Sequence, residues 1–230
     1  MWINLFLCLL GAHLIADFFL QSQASCDEKR EKHWRSGHHY LHSLVVFALS
    51  WAVSAQWGFL WCALMIGVSH LLIDIGKSYC KKDVTWFLVD QALHVLVLGG
   101  VAALWCQHCA WSIPLGIPAR GVAIGVAAII CWRPANIFIK EMLEHCRVMV
   151  PAETKTADFQ AGALIGNLER WLILAFVLMH HYEALGLLIA AKSIIRFGDA
   201  QTKESEYVLA GTLLSISIAV FSGLAVTLVK

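Results

Sequence analysis

Charge is scarce in this chain. Only 14% of its 230 residues are Asp, Glu, Lys or Arg, whereas 59% are hydrophobic. With a mean hydropathy of +0.69, that composition excludes an ordinary soluble domain and places the chain among polytopic membrane proteins. A basic excess is also missing: the net charge is +1, and no basic stripe with interleaved aromatics occurs, so no nucleic-acid partner is expected. The opening segment WINLFLCLLGAHLIADFFLQ has no basic n-region and no small-residue cleavage site. It carries His13 and Asp17, so it reads as a retained helix instead of a signal peptide. The eight cysteines form no redox framework, and most lie in apolar segments, where a free thiol behaves as a small hydrophobe. The exception is Cys106-Gln-His-Cys109, readable as a disulfide or as two free thiols, with no βαβ pattern around it.

What is present is a succession of apolar runs. A spanning helix needs roughly 20 such residues. By that measure the chain is an all-α, polytopic transmembrane helix bundle of about eight helices, near 2–21, 39–56, 57–77, 84–106, 120–140, 160–180, 184–198 and 207–229. Pro134, after Trp132 and Arg133, predicts a kink in the fifth. The halves 1–110 and 120–230 read as one integrated membrane domain with no internal repeat. Basic residues set the orientation. They crowd the loops after helices 1, 3, 5 and 7 (Lys29, Arg30, Lys32 and Arg35 in the first; Lys77, Lys81 and Lys82 in the second), and the alternate loops are nearly bare. Basic loops therefore face the cytoplasm, and both termini are expected on the other side.

The stretch from His70 to His94 holds the main motif. SHLLIDIGK and TWFLVDQALH each carry an Asp and a His spaced i, i+4, as do His13 and Asp17 in the first segment. That spacing puts both side chains on one helical face, a turn apart. Ionisable groups inside apolar helices are costly and usually mark function, although one such pair can simply satisfy itself. The orientation puts His13, Asp17, His42, His70, Asp74, Asp90 and His94 at one depth, in the cytoplasmic leaflet, although the chain threads back and forth between them. Random scatter would not produce that. Imidazole and carboxylate together suit a divalent metal ion, zinc or manganese first, and seven groups are enough for one or two ions. His13, Asp17, His42, His70 and Asp74 are the expected ligands; Asp90, His94 and Asp74 are the expected catalytic groups, with Asp74 or Asp90 as base. A metal of this kind lowers the pKa of a bound water to about 7. His38 and His39 are placed at the water boundary, and His180 and His181 are given no role.

The second half has different chemistry. Arg170, Lys192 and Arg196 are candidates for clamping an anionic head group, because guanidinium matches phosphate oxygens bidentately. Snorkelling at a helix end explains Lys192 and Arg196 equally well. Glu169 beside Arg170 suits an ion pair between helices, and Glu206 and Tyr207 add polar groups at the start of the last helix.

HLIADFFLQ, the loop lysines, LHSLVVF, SHLLIDIGK and DQALHVLVL, in that order over residues 5–130, resemble a bacterial membrane protein family of unknown function. GNLER, KSIIRF and EYVLAGT resemble its longer members. The HxxxHS run followed by SHLLID is similar, more distantly, to predicted membrane-bound metal-dependent hydrolases, which implies metal ligation by His42, His70 and Asp74. No His/Asp-rich motif follows residue 94. The expected function is metal-dependent hydrolysis of a lipid-type or polyprenyl phosphate at the bacterial inner membrane. Two other readings stay open: a metal-ion or proton transporter using the cluster as a relay, and a haem-binding electron carrier using paired histidines.

Overall fold

The structure, a computed structural model, describes residues 2–111, 116–147, 156–197 and 203–229, with side chains at 2–111, 116–147, 162–192 and 209–229. Among the described residues all regular structure is helical. Ten α-helices follow in order: α1 (Trp2–Phe18), α2 (Gln23–Lys32), α3 (Gly37–Ser54), α4 (Leu60–Ser78), α5 (Val84–His108), α6 (Ala119–Ile130), α7 (Arg133–His145), α8 (Thr156–Leu178), α9 (Tyr182–Phe197) and α10 (Lys203–Thr227).

Two departures from the expected eight helices have local causes. The basic stretch after α1 is a helix, not a loop. Ser22 caps α2 by accepting the Ser25 N–H, Lys29, Arg30 and Lys32 occupy its last turn, and Lys32 reaches Glu28 at i, i+4. That hydrogen bond holds the Glu28 carboxyl below its ordinary value. The predicted fifth helix is broken into α6 and α7, bent by 42°. Pro134 lies in the first turn of α7, where its missing N–H removes no helical bond.

Three helical stretches are long and apolar enough to cross a membrane: Trp57–Ser78, Val84–His108 and Leu209–Thr227. Counting each bent pair, α1 with the α2 segment and α6 with α7, as one span raises the number to five among the described residues. An eight-span bundle is not what these helices establish: α1 has 17 residues, α6 has 12 and α7 has 13, short of a full crossing. The membrane character is nonetheless plain in the outward faces, where Trp57, Trp61, Leu72, Leu96, Leu187 and Phe221 are all exposed.

Contacts divide the chain into two compact units, Met1–Val126 and Ala127–Lys230, the division falling inside α6. In the first unit Leu5, Leu9, Val46, Phe59, Ile66 and Leu98 form a core shared by α1, α3, α4 and α5. Gly67 allows α3 and α4 to touch: a Cβ there would stand 2.9 Å from Phe47 Cβ. The Ser43 hydroxyl donates across the same seam to the Gly67 carbonyl at 2.7 Å. His42 precedes that serine and His70 lies one turn beyond the glycine, so the lock sets both histidines. In the second unit α8 and α10 approach as closely, a Cβ on Gly223 meeting Val177 at 2.7 Å.

Candidate metal centre

The four apolar helices of the first unit bring seven ionisable groups to one place. Each Asp–His pair supplies two of them from one helical face: His13 and Asp17 from α1, His70 and Asp74 from α4, Asp90 and His94 from α5. His42 comes from α3. Asp17 Oδ1 is ringed by His42 Nε2 at 3.1 Å, His70 Nε2 at 3.5 Å and His13 Nδ1 at 3.6 Å. Asp74 Oδ1 stands 3.6 Å from His94 Nε2 and 3.8 Å from His70 Nε2, and Asp90 Oδ1 stands 3.4 Å from His94 Nε2. The imidazoles crowd together, with His70 and His94 stacked at 4.0 Å between centroids.

Most of these separations are too long for good hydrogen bonds. They are the right length for neighbours around one ion: two donors each about 2.0–2.1 Å from a tetrahedral metal stand about 3.3 Å apart. The unpartnered atoms agree. His13 Nε2, His70 Nε2, His94 Nε2 and Asp90 Oδ1 are buried without a hydrogen-bond partner. Leaving one such group unmade costs about 1–3 kcal/mol. A cation removes that cost for donors it ligates. Three groups have one donor atom per residue within 4.8 Å of one another: His13, Asp17 and His70; His42, His70 and Asp74; Asp74, Asp90 and His94. The residues fit a metal ion.

Two lysines read from the sequence as loop charges belong to this site. Lys29 of α2 is buried and donates to Asp74 Oδ2 at 2.6 Å. Lys77, at the end of α4, donates to Asp90 Oδ2 at 2.5 Å. Each takes one carboxylate oxygen and leaves Oδ1 facing His94. Gln91 donates to Asp17 Oδ2 at 3.3 Å and to Asp90 Oδ2 at 3.1 Å, joining α5 to α1. Lys77 and Gln91 sit beside motif residues in SHLLIDIGK and DQALH, so adjacency was an available signal. Lys29 had none. His39, placed at the water boundary by sequence, is buried with both ring nitrogens unpartnered, because α2 folds over it; His38 stays half-exposed against Glu28 at 3.2 Å.

The polar groups of the second unit are arranged differently. Arg170 is 2% exposed and donates Nε to the Cys131 carbonyl at 2.6 Å, Nη1 to Ser215 Oγ at 2.8 Å, and Nη2 to the side-chain oxygens of Asn136 and Asn167. Lys192 pairs with Glu169 from α8. Neither cation is left pointing at an open site, which runs against an anion clamp: Arg170 is bound by internal acceptors, and Glu169 answers Lys192 where the sequence placed it beside Arg170. The side chains of Arg196, Glu206 and Tyr207 lie outside the described residues.

Residues 5–115 match the model of a family described as "Protein of unknown function (DUF3307)". All seven clustered groups fall inside that stretch. No curated protein and no solved structure matches the chain, and none of these comparisons carries a hydrolase likeness.

Proposed function

We propose that the first unit is a metal-dependent hydrolase embedded in the bacterial inner membrane, acting at the cytoplasmic leaflet on a lipid-type or polyprenyl phosphate. One observation carries the reading: buried imidazole nitrogens and a carboxylate oxygen stand unpartnered at coordination spacing. Asp17 Oδ1 with the nitrogens of His13, His42 and His70 would hold the ion, zinc or manganese by donor type. Such an ion supplies an acidified water at neutral pH. The remaining work falls to the chain's own groups. Lys29 and Lys77 fix the rotamers of Asp74 and Asp90 through Oδ2. With one ion bound, their Oδ1 atoms, on the His94 side, would be the acceptors for a proton leaving water.

The test uses the 230-residue chain purified in detergent. Wild type should carry stoichiometric zinc or manganese and release phosphate or a free alcohol from a panel of lipid and polyprenyl phosphates. His70→Ala should lose both properties. Turnover unchanged in His70→Ala, or no turnover by a metal-replete wild type on any member of the panel, overturns the hydrolytic reading.

A second reading is favoured by the small size of the cavity. The cavity lined by His13, Ser69, His70 and His94 measures about 10 Å³, room for one water and no substrate. A relay passing metal ions or protons needs no more than that. Metal or proton flux in proteoliposomes, abolished by Asp17→Asn, would establish it. The haem reading, which would pair His13 with His70 or His42 with His94, draws no support, since the His13 and His70 rings meet edge-on at 5.5 Å between centroids.

A further inference from the structure

We infer that the cluster holds two divalent cations side by side. This rests on the cluster being a metal centre and adds its nuclearity. Two of the three donor groups share no residue: His13, Asp17 and His70 form one, and Asp74, Asp90 and His94 the other. Each offers one donor atom per residue within 4.8 Å of the others. They adjoin through His70 Nε2 and Asp74 Oδ1, 3.8 Å apart, and His42 Nε2 joins the first set 3.1 Å from Asp17 Oδ1.

A single tetrahedral ion takes about four donors. Seated in the first set, it would leave His94 Nε2 and Asp90 Oδ1 buried and unpartnered; seated in the second, it would strand His70 Nε2. Either choice leaves desolvated polar atoms with nothing to bind. Two ions serve both sets. The lysines fit the same arrangement, because each takes an Oδ2 and leaves the Oδ1 atoms of Asp74 and Asp90 near His94 Nε2, at 3.6 and 3.4 Å. Paired metal ions in hydrolytic sites stand about 3.5–4 Å apart, which adjoining donor sets allow. With a second ion present, Asp74 and Asp90 are ligands and no longer proton acceptors. Two divalent cations and two ammoniums also outweigh three carboxylates, so the loaded centre is cationic and suits an anionic substrate.

The experiment strips metal from the purified full chain, reloads it with manganese alone, and reads manganese content with the electron paramagnetic resonance spectrum. Two ions per chain and an exchange-coupled signal are expected. Asp90→Asn and His13→Ala should each halve the content and convert the coupled signal to that of an isolated ion. One ion per chain with an isolated signal overturns the two-cation proposal and leaves the metal centre standing. No bound manganese, and no zinc when zinc is offered in its place, overturns both. Two uncoupled ions that neither variant disturbs put the second ion elsewhere and also overturn the proposal. The wild-type spectrum decides the matter even where a variant fails to fold.

Discussion

The two units bury ionisable groups in apolar helices with opposite outcomes. In the second, Arg170 takes acceptors from Cys131, Asn136, Asn167 and Ser215, and Glu169 meets Lys192. In the first, seven clustered groups keep three imidazole nitrogens and a carboxylate oxygen without a partner after Lys29, Lys77 and Gln91 have been used. Burial of charge is therefore not what separates the candidate site from a structural network here. The separating feature is the unmet remainder. A self-satisfied network fixes packing, and an unsatisfied one is shaped for something that arrives later.

That contrast can be broken experimentally. The largest effect is expected at Asp17→Ala, which removes the oxygen ringed by three imidazoles: bound metal should vanish by elemental analysis while helical content by circular dichroism stays. Arg170→Ala should do the reverse. It strands several buried acceptors, and at 1–3 kcal/mol for each the second unit should lose about 3 kcal/mol or more, read as a lowered unfolding midpoint in detergent with metal content unchanged. Metal loss from Arg170→Ala would dissolve the distinction. Lys29→Met should leave Asp74 free to turn, lowering metal affinity about 10–100-fold in a competition titration with a chelator. Gly67→Ala should cost about 1–3 kcal/mol, because its Cβ would meet Phe47 Cβ across the α3–α4 seam. The smallest effect is expected at Glu28→Gln, whose exposed ion pair with Lys32 is screened by water: thermal unfolding should barely move and metal content should stay unchanged.

The clustering of the seven groups in the first unit was legible because its signal is local. A histidine and an aspartate four apart on an apolar helix are visible without any tertiary information, and three such pairs imply a meeting point. Lys29 was not legible. Its partner Asp74 lies 45 positions away, and the polar stretch around it has no apolar period to announce a helix. His39 was misread for the same reason, since only the fold of α2 over α3 takes it out of water. Arg170 shows the converse. Its residue type suggested anion binding, but its acceptors come from Cys131, Asn136 and Ser215, far along the chain, and only packing shows that its donors are already used. The break after Ile130 was half-legible: Pro134 marked the place, while the separation into two helices needed backbone geometry.

All seven groups of the cluster ride on helix barrels, and none sits in a connection. Homologous chains can therefore lengthen or rewrite the links at 55–56 and 79–83 without moving a single donor. Inserting one residue between Gly67 and His70 is another matter. It would swing everything beyond it by about 100° around the α4 axis and carry His70 and Asp74 off their bearing together.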